Sequence, residues 1–131
     1  MPSQPSTDTT APSATAAASG RTLEHPDRAA IRLEAVLHAL SDPMRLRVVR
    51  TLAARGTELA CSDVELDVSK STCTHHFRVL REAGVISQIY RGTSKMNGLR
   101  RADLDAIFPG LLDSVLAAAE GEERRLAAAA R

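Results

Sequence analysis

The sequence is poor in aromatic residues, in cysteine and in long apolar runs, and each shortage excludes a class of protein. Aromatic residues make up 2% of the 131 residues and Trp is absent, so stacking surfaces for single-stranded nucleic acid are not expected. Two cysteines, Cys61 and Cys73, are too few for the disulfide framework of a small secreted protein. We also expect neither a membrane-spanning helix, which needs about 20 consecutive apolar residues, nor a secretory signal. The prediction is a cytoplasmic protein with one folded domain.

Net charge is almost absent as well, because 17 Lys and Arg residues against 16 Asp and Glu residues give +1. A balanced total argues against a nucleic-acid-binding protein, which usually carries an excess of basic residues. The distribution of charge along the chain reverses that interpretation. Glu82 is the single acid between positions 70 and 101, where the seven basic residues are Lys70, Arg78, Arg81, Arg91, Lys95, Arg100 and Arg101.

The order of elements follows from turn-forming residues and from the spacing of apolar residues. Residues 1–24 are mostly Ala, Ser, Thr and Pro, a composition that predicts a disordered tail. A domain over 25–120 follows, and residues 121–131 are Ala-rich and expected to fray. The domain is predicted to contain helices over about 28–40, 43–55, 63–68 and 70–83, a β-hairpin over 85–99 and a last helical region broken at Pro109. The predicted fold class is mainly α with a small β-hairpin wing, in the order α-α-α-α-β-β-α.

Two short helices joined by a tight turn and followed by a hairpin are typical of a winged helix-turn-helix. The second of these helices has one apolar face at the spacing i, i+3, i+4 and i+7, made by Cys73, His76, Phe77 and Leu80. Its opposite face is short, polar and basic, which suits contact with DNA phosphates and base edges. The predicted DNA-binding residues are Lys70, Ser71, Thr74, His75 and Arg78 on this helix, with Arg91 and Lys95 beside the hairpin turn.

Two strings of residues carry a family resemblance, ALSDPMRL at 39–46 and SKSTCTHHFRVLREAGVI at 69–86. Together they resemble the ArsR-type bacterial transcriptional repressors, and the resemblance covers about residues 28–117. It implies a homodimer on a palindromic operator in double-stranded DNA, with the first and last helices forming the dimer interface. It also implies repression that is relieved by an effector, often a metal ion.

The metal-binding positions of that family do not match this chain. The family's thiolate box reads Glu-Leu-Cys-Val-Cys-Asp, whereas residues 58–63 here read ELACSD. A soft-metal site needs three or four converging thiolates or imidazoles, and one thiol does not supply them. The family's other site uses Asp and His from the last helix, and the last helical region of this chain contains no His. No metal and no cofactor are predicted, and a non-standard site made from His25, Cys61 and a partner across the dimer stays an alternative.

The two cysteines are the candidate redox-sensing residues. Cys73 lies on the apolar face of its helix, where it either packs as an ordinary core residue or, when oxidised, adds bulk beneath the DNA-binding face. Cys61 lies near a predicted helix N-terminus, which lowers the pKa of a thiol and favours its reactivity. Thiol oxidation is therefore the predicted effector signal, with core packing as the alternative.

An enzyme and a protein-association module are the two other classes of function that the sequence could encode. The sequence has no phosphate-binding glycine loop and no nucleophile-base arrangement, so an enzyme is not predicted. The adjacent residues His75 and His76 point about 100° apart on a helix and do not chelate one metal ion. A winged helix used for protein association remains an alternative, and it predicts no salt-dependent affinity for DNA.

Overall fold

The computed structural model describes residues 23–131, which form five α-helices and a three-stranded antiparallel sheet. The helices are α1 (Leu33–Leu40), α2 (Pro43–Arg55), α3 (Lys70–Glu82), α4 (Arg101–Ile107) and α5 (Leu111–Ala129). The strands are β1 (Leu59–Ala60), β2 (Ile86–Arg91) and β3 (Ser94–Leu99), with β3 between the other two. The predicted fold class, mainly α with a β-hairpin wing, is confirmed. The predicted tail lies outside the described residues except for its last two positions.

The ends of α2 are determined by residues with a local preference for those positions. Asp42 is the N-cap, and its carboxylate accepts hydrogen bonds from the backbone N–H groups of Met44 (2.8 Å) and Arg45 (3.1 Å). Pro43 occupies the first helical position, where a missing N–H has no cost. Gly56 ends the helix with a left-handed φ of 69°. Both predicted boundaries of this helix are confirmed.

The core is formed where α1, α2 and α3 pack against the sheet. Its fully buried residues include Val36, Val48, Val49, Phe77, Leu80, Val85 and Ile86. The members from α3 come from the apolar face that the sequence predicts, so the opposite face of α3 is turned to solvent. No helix within residues 23–131 is both long enough and apolar enough to cross a membrane.

The segment between β1 and α3 differs from the predicted helix over 63–68. A single 3-10 turn, Cys61–Asp63, forms there, and residues 64–69 are irregular. The six predicted positions include two β-branched Val residues and three acids, a composition that does not overcome the cost of nucleating so short a helix. The carboxylate of Asp63 instead accepts a hydrogen bond from the Ala60 backbone N–H at 2.9 Å. Val64 is nevertheless 4% exposed, so the segment packs on the core without being helical.

The two ends of the described chain also differ from the prediction. Residues before α1 form a short 3-10 turn, Arg28–Ala30, and the α-helix begins only at Leu33. At the other end, α5 continues to Ala129, so most of the segment 121–131 that was expected to fray is helical. This segment consists mostly of Ala, Glu and Arg, which are good helix formers. An ion pair between Arg50 and Glu123 (2.7 Å) also joins the side chains of α2 and α5.

Gly84 follows α3 at a point where no other residue fits. Its φ is 87°, and a Cβ atom added there would lie 2.5 Å from Cγ1 of Ile31. We expect Gly84→Ala to lower the free energy of unfolding by about 2 to 4 kcal/mol, because backbone strain and overpacking add together. Gly92→Ala is the matched control, since φ is 66° there and no atom lies within 4 Å. Urea denaturation of both variants checks this, and equal losses would show that the contact with Ile31 is unimportant.

Candidate nucleic-acid interface

The exposed side of α3 brings five of the predicted DNA-binding residues together. We call this the α3 surface, and its members are Lys70, Ser71, Thr74, His75 and Arg78, all of which are exposed. The opposite side of the helix buries His76, Phe77 and Leu80. The α3 surface is therefore held by a helix whose other side is anchored in the core. Its position is as rigid as the core beneath it.

The polar groups at the start of α3 are ordered by the cap of the helix. Ser69 is the N-cap, and its hydroxyl oxygen accepts a hydrogen bond from the Thr72 backbone N–H at 3.2 Å. The same hydroxyl lies 2.9 Å from Oγ1 of Thr72 and 3.3 Å from Oγ of Ser71. Small hydroxyls at a helix N-terminus allow close approach, and the positive end of the helix dipole favours an anion such as phosphate.

Arg78 is the longest cation of the α3 surface. Its Nη2 lies 3.3 Å from Nδ1 of His75, one helical turn earlier. This contact holds the guanidinium beside the middle of α3. A guanidinium there has the planar set of donors that binds a guanine edge or a phosphate through two hydrogen bonds.

A buried arginine connects α3 to the start of α2, and sequence reasoning missed it. Arg45 donates from Nε to the Ala39 carbonyl oxygen at 2.7 Å, and its Nη1 lies 3.2 Å from Nδ1 of His76. His76 also lies 3.8 Å from the Asp42 carboxylate. Desolvation raises the pKa of Asp42, but the backbone N–H donors of the helix cap and the nearby side chains of His76 and Arg45 outweigh it and lower the pKa below its ordinary value. The prediction that His76 packs inward while His75 stays exposed is confirmed.

The hairpin wing differs from the prediction at Arg91. Its guanidinium donates to both carboxylate oxygens of Glu58, at 2.9 and 3.1 Å, and the hydrogen bond from Arg91 lowers the pKa of Glu58 despite partial burial. Lys95 lies across the hairpin, with Nζ 5.6 Å from the ring centroid of Tyr90. Arg91 and Lys95 therefore both lie near the hairpin turn, as the sequence predicts. Arg91 is, however, already engaged by a carboxylate that the sequence places 33 residues away.

The basic excess of the segment 70–101 is partly neutralised in the folded structure by carboxylates from other parts of the chain and from the segment itself. Four of its seven basic residues form ion pairs with carboxylates, namely Arg81 with Glu82, Arg91 with Glu58, Arg100 with Asp103 and Arg101 with Asp113. Within residues 23–131, Lys70, Arg78 and Lys95 form no ion pair. The unpaired positive charge of this segment thus lies on the α3 surface and on one residue of the wing.

A buried chain of side-chain hydrogen bonds joins α3 to the three strands. Arg81 Nη1 donates to Gln88 Oε1 (2.7 Å), Gln88 Nε2 donates to Asn97 Oδ1 (2.8 Å), and Asn97 Nδ2 donates to the Leu59 carbonyl oxygen (3.1 Å). Gln88 is 2% exposed and Asn97 is 0% exposed. Buried amides with satisfied partners specify one arrangement of the elements that they join. This series of hydrogen bonds therefore sets the orientation of the wing relative to α3.

The two cysteines lie together, which neither sequence position indicated. Sγ of Cys61 is 3.0 Å from Sγ of Cys73, and both residues are half-buried. Burial, and then the hydrogen bond with Cys73, raise the pKa of Cys61 to about 12. The predicted lowering of this pKa is wrong, because Cys61 belongs to a 3-10 turn and not to the N-terminus of an α-helix.

His25 is engaged by the backbone of the sheet rather than directed toward the cysteines. Its Nε2 accepts a hydrogen bond from the Gln88 N–H at 2.9 Å. Among residues 23–131 the structure contains no cluster of three or more His, Cys, Asp or Glu side chains suited to a metal ion. The alternative site made from His25, Cys61 and a partner across the dimer stays a prediction.

The hydrogen bond to His25 predicts a pH dependence of stability. Desolvation, with smaller contributions from the charges of Arg100 and Arg81, lowers the pKa of His25 below its ordinary value of 6.5 although the backbone of Leu23 opposes this. A lowered pKa favours the neutral form, so its stabilising contribution is complete above pH 6.5 and is lost as the pH falls through the lowered pKa. We expect thermal unfolding temperatures at about pH 7.5 and 5.5 to differ less in His25→Gln than in the parent protein. His75→Gln, at an exposed position, is expected to keep the parent's full difference.

Comparisons with known proteins find transcriptional regulators that are similar to this chain. A family model described as a helix-turn-helix domain matches residues 40–89. The helix-turn-helix-type transcriptional regulator YceK of Bacillus subtilis is 35% identical over 82 residues, which are 61% of this chain and 82% of that protein. The arsenical resistance operon repressor of Bacillus subtilis is 29% identical over 86 residues, 59% of this chain and 82% of that protein. Among solved structures, the transcriptional repressor BigR from Xylella fastidiosa aligns with a TM-score of 0.47 and 26% identity, over 58% of this chain and 85% of that one.

Proposed function

The chain belongs to the helix-turn-helix-type transcriptional regulators, with an ArsR-type repressor among its relatives, and on that premise we propose that it is a homodimeric repressor of a palindromic DNA operator. The observation that carries this proposal is the α3 surface, a polar and basic helix face whose opposite side is anchored in the core. The major groove of B-DNA, about 12 Å wide, admits one α-helix. Lys95, the wing cation without an ion pair within residues 23–131, would then lie along the phosphate backbone.

Each residue of the interface has a proposed role that follows from its chemistry. Arg78 contacts a base edge, while Lys70 and the hydroxyls of Ser71 and Thr74 contact phosphates near the start of α3. His75 orients Arg78 through their 3.3 Å contact. Lys95 and Arg91 contact phosphates from the wing, and Arg91 does so after it separates from Glu58.

Exposed leucines support the proposed dimer. Leu33 (44% exposed) and Leu37 (46% exposed) lie one turn apart on α1, and Leu126 (55% exposed) lies on α5. These are the two elements that the resemblance to ArsR-type repressors implies for the interface. A two-fold dimer presents two copies of α3 to successive major grooves about 34 Å apart, which accounts for a palindromic operator.

The proposed effector is an oxidant that acts at Cys61 and Cys73, because these thiols lie directly beneath the first turns of α3. Oxidation would release the repressor from DNA. We propose that the protein acts in the cytoplasm, where its DNA target is located and thiols are kept reduced in the absence of the signal.

A salt titration of DNA affinity tests this function. The probe is a fluorescently labelled duplex that the protein has selected from a random-sequence pool, with an unselected duplex of the same length for comparison. A repressor is expected to prefer the selected duplex and to lose affinity as salt rises, with a slope of log K against log salt of about −0.9 per neutralised phosphate. Weak binding to both duplexes, with no dependence on salt, would instead favour a protein-association module.

The Arg91–Glu58 ion pair provides a sharper test of the wing. In Glu58→Gln the guanidinium loses its competing carboxylate, so we expect tighter binding to every duplex. Arg91→Ala is expected to weaken binding about equally for all sequences and to flatten the salt slope by about 0.9. The double variant is the matched control and is expected to behave as Arg91→Ala does. Tighter binding that persists in the double variant would show that Glu58 repels DNA directly and that Arg91 is not a phosphate contact.

A further inference from the structure

We propose that Cys61 and Cys73 form a reversible intramolecular disulfide when a hydroperoxide oxidises the protein, and that this bond weakens DNA binding. The effect on DNA rests on the function proposed above, whereas formation of the disulfide does not. The site combines two thiols from different elements, one in the 3-10 turn Cys61–Asp63 and one in α3.

The geometry of the pair favours a bond between its own two sulfurs. The Sγ atoms are 3.0 Å apart, and a disulfide needs a separation of about 2.0 Å, so the two elements must approach by only about 1 Å. Because both side chains are half-buried, each sulfur meets its neighbour more readily than it meets a thiol of another molecule.

A cavity gives a small oxidant access to the pair. It has a volume of about 1020 Å³ and is bordered by both cysteines, with Lys70, Thr74 and Lys95 also on its wall. A hydroperoxide is small and uncharged and fits such a space. The two lysines lie where they would stabilise a thiolate that forms at the pair.

The chemistry balances as a two-electron oxidation. The thiolate of one cysteine attacks the peroxide oxygen, the O–O bond breaks, and the products are a sulfenic acid and an alcohol, or water from hydrogen peroxide. The second thiol then attacks the sulfenic sulfur, the S–O bond breaks, and water leaves as the S–S bond forms. The two sulfurs together lose two electrons and two protons.

The two cysteines can exchange roles in this sequence. Cys73 belongs to α3 and Cys61 to the 3-10 turn that packs beside it, and their Sγ atoms are 3.0 Å apart. Either sulfur can attack the peroxide, and the other then lies within reach of the sulfenic acid. The variant that keeps the attacking cysteine should stop at the sulfenic acid, so the masses of Cys61→Ser and Cys73→Ser after peroxide identify which sulfur attacks.

The new bond would connect the α3 surface to the wing. Cys73 adjoins Thr74 and lies one turn after Lys70 on α3. Cys61 directly follows β1, whose residue Ala60 is paired with Met96 of β3. A disulfide therefore pulls the first turns of α3 toward the sheet and away from the groove of DNA. We expect an affinity loss of about tenfold, equivalent to about 1.4 kcal/mol.

The experiment uses the full chain in three states: reduced, treated with hydrogen peroxide, and reduced again with dithiothreitol. Intact mass, the count of free thiols and migration on a non-reducing gel are measured beside affinity for the selected duplex. The expected result is the loss of two hydrogen atoms, a fall from two free thiols to none, a monomeric band, and a reversible tenfold loss of affinity, about 1.4 kcal/mol. Cys61→Ser and Cys73→Ser are expected to form no intramolecular bond and to keep more of their affinity in peroxide.

The outcomes separate this proposal from the one on which it rests. A cross-linked dimer band, or two thiols that survive peroxide, would overturn the disulfide whatever the DNA result. A disulfide that forms without changing affinity would overturn its regulatory role and leave the repressor intact. Failure of the reduced protein to prefer any duplex would overturn the proposed function, while the mass and thiol measurements would still report on the disulfide.

Discussion

Replacing Leu33 and Leu37 together by Asp is expected to convert the proposed dimer into a monomer and to lower affinity for a palindromic operator by about 10² to 10⁴-fold. The affinity falls because two half-sites bound by one dimer gain from effective concentration, and a monomer loses that gain without losing any DNA contact. Both leucines are nearly half exposed in the single chain. Burying such a side chain contributes about 1.5 to 3 kcal/mol, and a symmetric dimer would bury two copies of each leucine.

The same exposure makes the double variant a clean test, because its fold should survive. Neither leucine belongs to the buried core, so the thermal unfolding of the monomer is expected to stay cooperative. The matched control is Ala54→Asp with Ala106→Asp, which adds the same charge at exposed positions of α2 and α4. Sedimentation velocity should give twice the chain mass of 14.0 kDa for the parent and the control. A double variant that stays dimeric would show that these leucines are not the interface.

The features that the sequence predicts well are those with local causes. The cap at Asp42 and Pro43 depends on neighbouring backbone groups, and the two faces of α3 follow from the helical period of 3.6 residues. The prediction of a helix over 63–68 is wrong for an equally local reason. These residues follow a helix start signal, but they are too few and too rich in β-branched side chains to form a helix.

The features that could not be predicted join residues distant in sequence. Arg91 and Glu58 are 33 residues apart, and Arg45 and His76 are 31 apart. Periodicity assigns each of these residues to a face, but it does not say which face meets which across the fold. For that reason the balance of charge read along the chain overestimates the basic excess of the wing, and the contact between the two thiols is visible only in the structure.

The second large effect is expected from Arg78→Ala, which should cost about 1 to 3 kcal/mol of binding free energy, or about 5- to 150-fold in affinity for the selected duplex. Arg78 is exposed in the middle of the α3 surface and forms no ion pair within residues 23–131. Its donors are therefore available to a base edge without first breaking a salt bridge. The loss should be larger on the selected duplex than on an unselected one, so the ratio of the two affinities should fall.

Two controls separate base recognition by Arg78 from a simple loss of charge. Arg55→Ala removes one positive charge from an exposed position outside the α3 surface, so it is expected to leave the affinity ratio unchanged. Arg78→Lys keeps the charge but not the planar pair of donors, so its salt slope should match the parent's while its preference for the selected duplex falls. If Arg78→Ala lowers both affinities by the same factor and Arg78→Lys restores them, Arg78 is a phosphate contact, and base recognition must come from the other members of the α3 surface.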